Sequence, residues 1–321
     1  MNPIMSTDRR TFLKTASTLP FIMSTAFRGQ EQDRPNILMI MSDNHSWNHL
    51  GCYGDPVVDT PNIDAVADRG VRFTNAYCAS PSCAPARAGL LTGQDPWRLE
   101  EGANLWGILP DHFPLYTELL EEAGYHVGHE GKGWGPGNVP VSGRSRNHAG
   151  DKYNSFGNFL QASRSDSPWC YWYSSRDPHR PYEVGSGIRA GMNPDRVEVP
   201  EYLPDHPDVR GDITDYYAAV QQFDRQVGDI LDRLRASGQY ENTVIVICSD
   251  NGWQMPRGLA DLYDFGTRIP MIISWEGQIP GGRVVYDFVN LNDLAPTFLD
   301  LAGQAPPPQM TARSISDLLF T

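Results

Sequence analysis

No stretch of the 321-residue chain is long and apolar enough to make a stable bilayer span. C-x-x-C pairs are missing, so the five cysteines (Cys52, Cys78, Cys83, Cys170 and Cys248) do not suggest a zinc site. Positive charge is scarce: 26 Lys and Arg face 39 Asp and Glu, a net −13. That balance argues against a general nucleic-acid binder. An anionic ligand would need local Arg or Lys to hold it against an acidic background. Repeats of solenoid length and low-complexity tracts are also absent. What is left is a globular composition, 40% hydrophobic, with enough chain for one large or two ordinary domains.

The N-terminus differs from the rest. "TDRRTFLKTASTLPFIMSTAF" places Arg9 and Arg10 before Phe12, Leu13 and Lys14, and a short Ser/Thr-broken apolar stretch follows. The spacing resembles a twin-arginine export signal, although no A-x-A cleavage site follows. It implies passage through the twin-arginine export machinery to a periplasmic or extracellular location. In such a compartment an odd number of cysteines leaves at least one thiol unpaired or modified.

From residue 35 onward, strand and helix patterns alternate. "PNILMIMSDN", "NTVIVICSDNG" and "RIPMIISW" are apolar runs of buried-strand type, and "YHVGHEGK" and "WCYWYSSRDPH" also read as strands. "TPNIDAVADRG" reads as a helix with Thr60 as cap, Pro61 in the first turn and Gly70 as stop. "PLYTELLEEAG" is a helix closed by Gly124. Residues 212–237 form the longest helix, with Val220, Phe223, Val227, Leu231 and Leu234 as its apolar stripe. "LNDLAPTFLDLAG" is a late helix, and a Gly-, Ser- and Asn-rich stretch between Gly133 and Pro168 carries loops and one short helix near "NSFGNFLQAS". Cys170 and Cys248 fall in apolar strands, as core residues do. The pattern predicts an α/β fold with a mainly parallel central sheet covered by helices on both faces.

Two strands end alike: "ILMIMSDN" in Asp43 and Asn44, "VIVICSDN" in Asp250 and Asn251. Asp and Asn often end strands because they favour turns. Set side by side at the carboxyl edge of a sheet, they would instead converge hard oxygen donors suited to Ca²⁺ or Mg²⁺. Lys132 and His179 also fall at strand ends. A lysine in a cleft can hold an anionic oxygen and a histidine can protonate a leaving group, though either alone is more often an ordinary surface or loop residue. The remaining histidines have no ligand spacing.

"SPSCAPARAGLLTG" starts a helix, with Pro85 in the first turn and Gly93 as the stop. Cys83 then sits at the positive helix end, which holds anions and can activate a thiol. A small buried cysteine is the plainer reading.

The segments "RPNILMIMSDN", "LGCYGDPVVDTPNIDAVADRGVRFTNAY", "CAPARAGLLTG", "GYHVGHEGKG", "RDPHRPY" and "VIVICSDNGW" occur in the order found in type I sulfatases, which have the alkaline-phosphatase-like fold. The resemblance covers residues 35 to about 315, and Cys83-Ala84-Pro85-Ala86-Arg87 is similar to the family's C-x-P-x-R signature. The stretches "VPEYLPDHPDVRGDITDYYAAVQQFDRQVGDILDRL", "RDPH" and "RGLADLYDFGTRIP" look closest to the heparan N-sulfatase (sulfamidase) branch. With the twin-arginine pattern giving an export signal over 1–32, the resemblance implies a sulfatase catalytic domain over 33–321 that lacks most of the family's C-terminal subdomain. It implies that a formylglycine-generating enzyme oxidises Cys83 to formylglycine. It further implies that Asp43, Asn44, Asp250, Asn251 and the modified Cys83 bind Ca²⁺, with Mg²⁺ as the alternative. Arg87 would orient the aldehyde hydrate, Lys132 would contact sulfate and His179 would protonate the leaving group. The implied substrate is a sulfated or N-sulfated sugar. A phosphonate or phosphate monoester, or a non-catalytic metal-containing binding role, are the alternatives.

The departures from the family pattern carry their own expectations. Trp134 stands where a Lys-x-His pattern has its histidine, and Asn44 where a second Asp is more usual. Leu259 stands where a Lys or Arg is usual, so Arg257 is expected to turn inward as the substitute cation. The chain stops soon after "MTARSISDLL", where the family continues into a small C-terminal sheet subdomain; most of that subdomain is expected to be missing.

Overall fold

The computed structural model describes residues 34–164 and 166–321. The expected export signal over residues 1–32 lies outside the described residues. Among the described residues, no helix is long and apolar enough to cross a membrane.

Eight strands form one sheet: β1 (Asn36–Ser42), β2 (Val71–Tyr77), β3 (His126–Gly131), β4 (Asp151–Lys152), β5 (Trp169–Ser174), β6 (Thr243–Ser249), β7 (Met271–Ser274) and β8 (Arg283–Asn290). Their order is β4-β3-β5-β1-β6-β7-β2-β8. Every neighbouring pair is parallel except the two made by β7, which runs antiparallel to β6 and β2. Two reversals cancel, so the other seven strands all point one way. The mainly parallel sheet expected from the apolar runs is therefore present.

The central strands are buried on both faces, and their residues alternate between two cores. Ile37, Met39 and Met41 of β1 and Val244, Val246 and Cys248 of β6 pack with α2 (Cys83–Thr92), α3 (Tyr116–Glu122) and α8 (Leu294–Leu301). Leu38, Ile40, Ile245 and Ile247 pack on the opposite face with α1 (Pro61–Arg69), α4 (Phe156–Ala162) and α6 (Pro207–Ala236). Alternation across a strand puts successive side chains on opposite faces, so a continuous apolar run needs helices on both.

Helix α6 buries Val220, Phe223, Val227, Leu231 and Leu234, the expected stripe. It begins at Pro207 rather than 212. Pro207 fits the first turn and the His206 side chain accepts from Asp208 N, so the polar opening is helical despite Gly211. Thr60 is the residue before α1, but its hydroxyl donates to Asp64 Oδ1 and accepts from Gly51 N instead of capping a helix N–H. Gly70 follows α1 without left-handed geometry; a Cβ there would lie 2.3 Å from the Ile273 carbonyl oxygen, so close strand packing demands the glycine. Gly93 does adopt the left-handed conformation, φ 59°, that ends α2.

Candidate active site

β1 and β6 pair in register from Asn36↔Thr243 to Ser42↔Ser249. The next residues are Asp43 with Asp250 and Asn44 with Asn251, so the two similar strand ends lie side by side. Asn44 takes φ 64°, a conformation asparagine tolerates better than most residues. There its backbone N–H donates to Asp250 Oδ1 at 3.1 Å, and Asn251 Nδ2 donates to Asn44 Oδ1 at 2.7 Å.

β2 runs the same way as β1, so its exit delivers the start of α2 to the same edge. Cys83 is the first residue of α2, and its Sγ lies 3.4 Å from Asp43 Oδ1 and 3.7 Å from Asn44 Oδ1. One ligand atom each from Asp43, Cys83 and Asp250 falls within 4.8 Å of the others.

One turn into α2, Arg87 is fully buried. It donates to Asp250 Oδ2 at 2.8 Å, to the Gly133 carbonyl at 2.7 Å and to Ser174 Oγ at 2.6 Å. Its Nη2 sits 3.8 Å from Asp43 Oδ1. Lys132, just past β3, donates from Nζ to Asp43 Oδ2 at 2.9 Å. Two buried carboxylates thus meet two cations.

The carboxylates respond differently. Burial pushes Asp43 up, but Arg87 and Lys132 together hold it below the usual aspartate range. Burial and the neighbouring Asp43 carboxylate raise Asp250, against the pull of Arg87. Burial, Asp250 and Asp43 also push the Cys83 thiol up to about 12. The expected activation of this thiol by the helix end is therefore reversed: desolvation and two carboxylates outweigh the helix dipole. At neutral pH the unmodified thiol stays protonated and is a poor nucleophile.

Above this floor opens a cavity of about 590 Å³. Its wall contains Asp43, Cys83, Lys132 and His179 from the expected set, together with Leu105, Trp106, Arg176, Gln254, Leu259 and Ala260. His179 Nδ1 bonds the Arg180 carbonyl. The loop bearing it is tied to β1 by Asp43 N donating to the Asp177 carbonyl at 3.1 Å, and to α6 by Gln226 Nε2 donating to Asp177 Oδ2 at 2.8 Å.

One expected residue is placed elsewhere. Arg257 is not in the cavity wall; its guanidinium lies 5.1 Å from the ring centroids of both Tyr202 and Tyr263. Cation–π contact with two tyrosines gives it a place away from the cleft, and Leu259 and Ala260 reach the wall in its stead. Trp134, at the position where the family pattern has its histidine, is 2% exposed, and its ring centroid lies 4.4 Å from that of His148 in the core. Sequence reasoning missed Arg176, Gln254 and Trp106. Arg176 had a signal, since it lies three residues before His179 at the same strand end.

The description "Sulfatase" belongs to the family model that matches residues 35–304. An N-acetylgalactosamine-6-sulfatase of Canis lupus familiaris is 31% identical over 336 residues, covering 85% of this chain and 63% of its own length. The N-sulphoglucosamine sulphohydrolase of Homo sapiens is 31% identical, covering 83% of this chain and 60% of its own. The chain thus spans a little under two thirds of the length of these curated relatives. Among solved structures, the phosphonate monoester hydrolase of Agrobacterium radiobacter superposes with a TM-score of 0.74 at 19% identity, covering 89% of this chain and 77% of that one. A protein solved in complex with its substrate D-glucosamine-2-N,6-O-disulfate gives 0.70 at 22%, covering 90% and 81%. At those identities the superpositions speak for the fold. The family match covers most of the chain and includes the strand ends and helix start that build the cavity floor, and by it the chain belongs to the sulfatase family.

Proposed function

We propose that this protein hydrolyses a sulfate ester or N-sulfate on a sulfated sugar, through a formylglycine formed from Cys83 and with a divalent cation at the strand ends. The observation that carries the reading is the convergence of Asp43, Cys83 and Asp250 beneath a cavity that also presents Lys132 and His179. The names of the two curated relatives support a sulfated amino sugar, one by an O-sulfate and the other by an N-sulfate.

The residues fit a hard cation. Asp43, Asn44, Asp250 and Asn251 offer oxygen donors, and Asn251 Oδ1 is buried without a hydrogen-bond partner. Leaving a buried acceptor unpaired costs about 1–3 kcal/mol, which a cation there would offset. Ca²⁺ suits this donor set, and Mg²⁺ is the alternative. When bound, the cation would supply Lewis-acid stabilisation of negative charge on sulfate oxygens. A formylglycine-generating enzyme would be the partner that converts Cys83, and the hydrated aldehyde would supply the oxygen nucleophile that the protonated thiol cannot.

The chain's own residues do the rest. Arg87, locked by three hydrogen bonds, fixes the start of α2 against β6 and offsets the buried carboxylates. Lys132 stands in the wall with its ammonium on Asp43, and its flexible stem would let that ammonium pass to a sulfate oxygen. His179, its Nδ1 held by the Arg180 carbonyl, would hand a proton from Nε2 to the departing oxygen or nitrogen. The N-terminal twin arginines support an exported, periplasmic or extracellular protein.

The test begins with expression beside a formylglycine-generating enzyme. The peptide over Cys83 should lose about 18 Da, the exchange of thiol for aldehyde. Converted protein with Ca²⁺ should then turn over aryl sulfate and an O- or N-sulfated glucosamine faster than aryl phosphate or phosphonate. Faster phosphoester turnover would assign the site to the other anion class, and an inert converted protein across the whole panel would leave a binding role.

A further inference from the structure

The cavity changes character from floor to mouth. Cys83 and Asp43 are 6% and 2% exposed at the floor, whereas Leu105 is 46% and Trp106 73% exposed, and Arg176 is exposed as well. The two cations at the floor are already engaged: Arg87 by Asp250, and Lys132 by Asp43. Arg176 is not. Among the described residues its guanidinium has no hydrogen-bond or ion-pair partner; Asp177, the acid that feels its charge, is hydrogen-bonded to Gln226 instead.

Trp106 is equally distinctive. It takes φ 62°, a left-handed conformation that costs a bulky residue of order 1 kcal/mol or more. Backbone bonds hold it there: Trp106 N donates to the Pro136 carbonyl at 3.1 Å, and Asn138 N to the Gly107 carbonyl at 2.9 Å. Pro136 lines the same cavity. The loop is thus fastened to the segment just past Lys132, with an indole kept in the mouth wall.

We propose that Arg176 and Trp106 form a second anchor for the substrate. The indole lies against a sugar ring, and the guanidinium grips a second oxyanion, removed from the sulfate that is cut. An exposed aromatic face suits the apolar C–H face of a sugar, and arginine's planar fork matches carboxylate and sulfate equally. The exposure gradient carries the assignment: a side chain at the mouth meets a part of the substrate that the floor does not. The inference rests on the sulfated-sugar reading above and narrows it to sugars with at least two negative groups.

The test separates the two ideas by measuring binding without turnover. Cys83→Ala protein with Ca²⁺ is titrated calorimetrically with three sugars: one with a single sulfate, one with two sulfates, and one with a sulfate and a carboxylate. The second anion should raise affinity about tenfold at low salt, and the gain should fall as salt is added. Whether the disulfated or the carboxylated sugar gains more identifies the second group. Adding Arg176→Ala should bring the ratio of two-anion to one-anion affinity close to one, while Arg176→Lys should restore part of it. Adding Trp106→Ala should weaken all three sugars alike, and Trp106→Phe should recover most of the loss. Equal binding of one-anion and two-anion sugars overturns the proposal. So does an Arg176→Ala protein that still discriminates, or one that loses affinity for every sugar equally, which would place Arg176 on the scissile sulfate. Aryl sulfate turnover by converted wild-type protein reports on the hydrolase reading separately, so discrimination without turnover would support the anchor while sinking that reading.

Discussion

Replacing Arg87 by Met tests the electrostatics of the site directly. The substitution keeps most of the side-chain volume and removes a guanidinium with no solvent exposure. Asp250 then loses its 2.8 Å partner, the Gly133 carbonyl and Ser174 hydroxyl lose theirs, and Asp43 loses the strongest of the charges that hold it ionised. Breaking a buried ion pair from one side costs about 3–5 kcal/mol, because the remaining charge is left without compensation. Set against a total stability of about 5–15 kcal/mol, that is a large fraction. Urea unfolding in chelated buffer at pH 7 should show it, since a bound cation would partly replace the lost charge.

The pH dependence has a definite sign. Asp43 has a folded-state pKa below its ordinary value of 3.8, so it contributes stability above about pH 4 that is lost as pH falls through the folded pKa. Because Arg87 is the main source of that depression, the penalty of Arg87→Met should shrink as pH drops below 4. A loss under about 1 kcal/mol at pH 7, with unchanged urea dependence, would refute the account of a charge-compensated floor.

Three further outcomes follow from the same geometry. Adding Ca²⁺ to chelated protein should raise the melting temperature, by about 2.7 kcal/mol of stability at a hundredfold excess over Kd, and Asp250→Ala should abolish the rise; an equal shift in the variant would place the ion elsewhere. His179→Gln should slow sulfated sugars far more than 4-nitrophenyl sulfate, whose leaving group needs no proton, and equal slowing of both would deny it the acid role. Arg257→Ala should leave kcat/KM within twofold on any substrate that is turned over, because its guanidinium stacks on Tyr202 and Tyr263; a larger loss would show that the loop turns it inward.

The sequence and the structure agree where one local rule dominates. The strands β1 and β6 are continuous apolar runs, and their matching polar ends could be read as neighbours because parallel strands of one sheet present their carboxyl ends together. Helix α2 was legible from Pro85, the helix formers after it, and Gly93. Other features depend on tertiary context. β2 and β8 mix polar and apolar residues: β8 is an edge strand with mostly exposed or half-exposed positions, β2 beside it alternates buried and half-buried ones, and neither has a run that stands out. Arg257 could not be placed from spacing, since Tyr202, from another part of the chain, closes on it together with Tyr263 of its own loop. The shift of the Cys83 thiol is likewise invisible locally: Asp43 and Asp250 come from strands 40 or more residues away along the chain, and together with burial they reverse what the helix end alone would do.

The pairing of β1 with β6 also bears on how the protein is made. The two strands lie 207 residues apart along the chain, and β5, the other neighbour of β1, is 133 residues away. At about 5–20 residues per second, β1 leaves the ribosome roughly 10–40 s before the strand that completes its pairing exists. During that interval "NILMIMS" is an uncharged segment, apolar from Ile37 to Met41, with both edges open, a composition prone to pairing with another nascent copy. Yield in a heterologous host should therefore depend on translation rate and on chaperones that hold nascent chains, and slow growth at low temperature is the first condition to try.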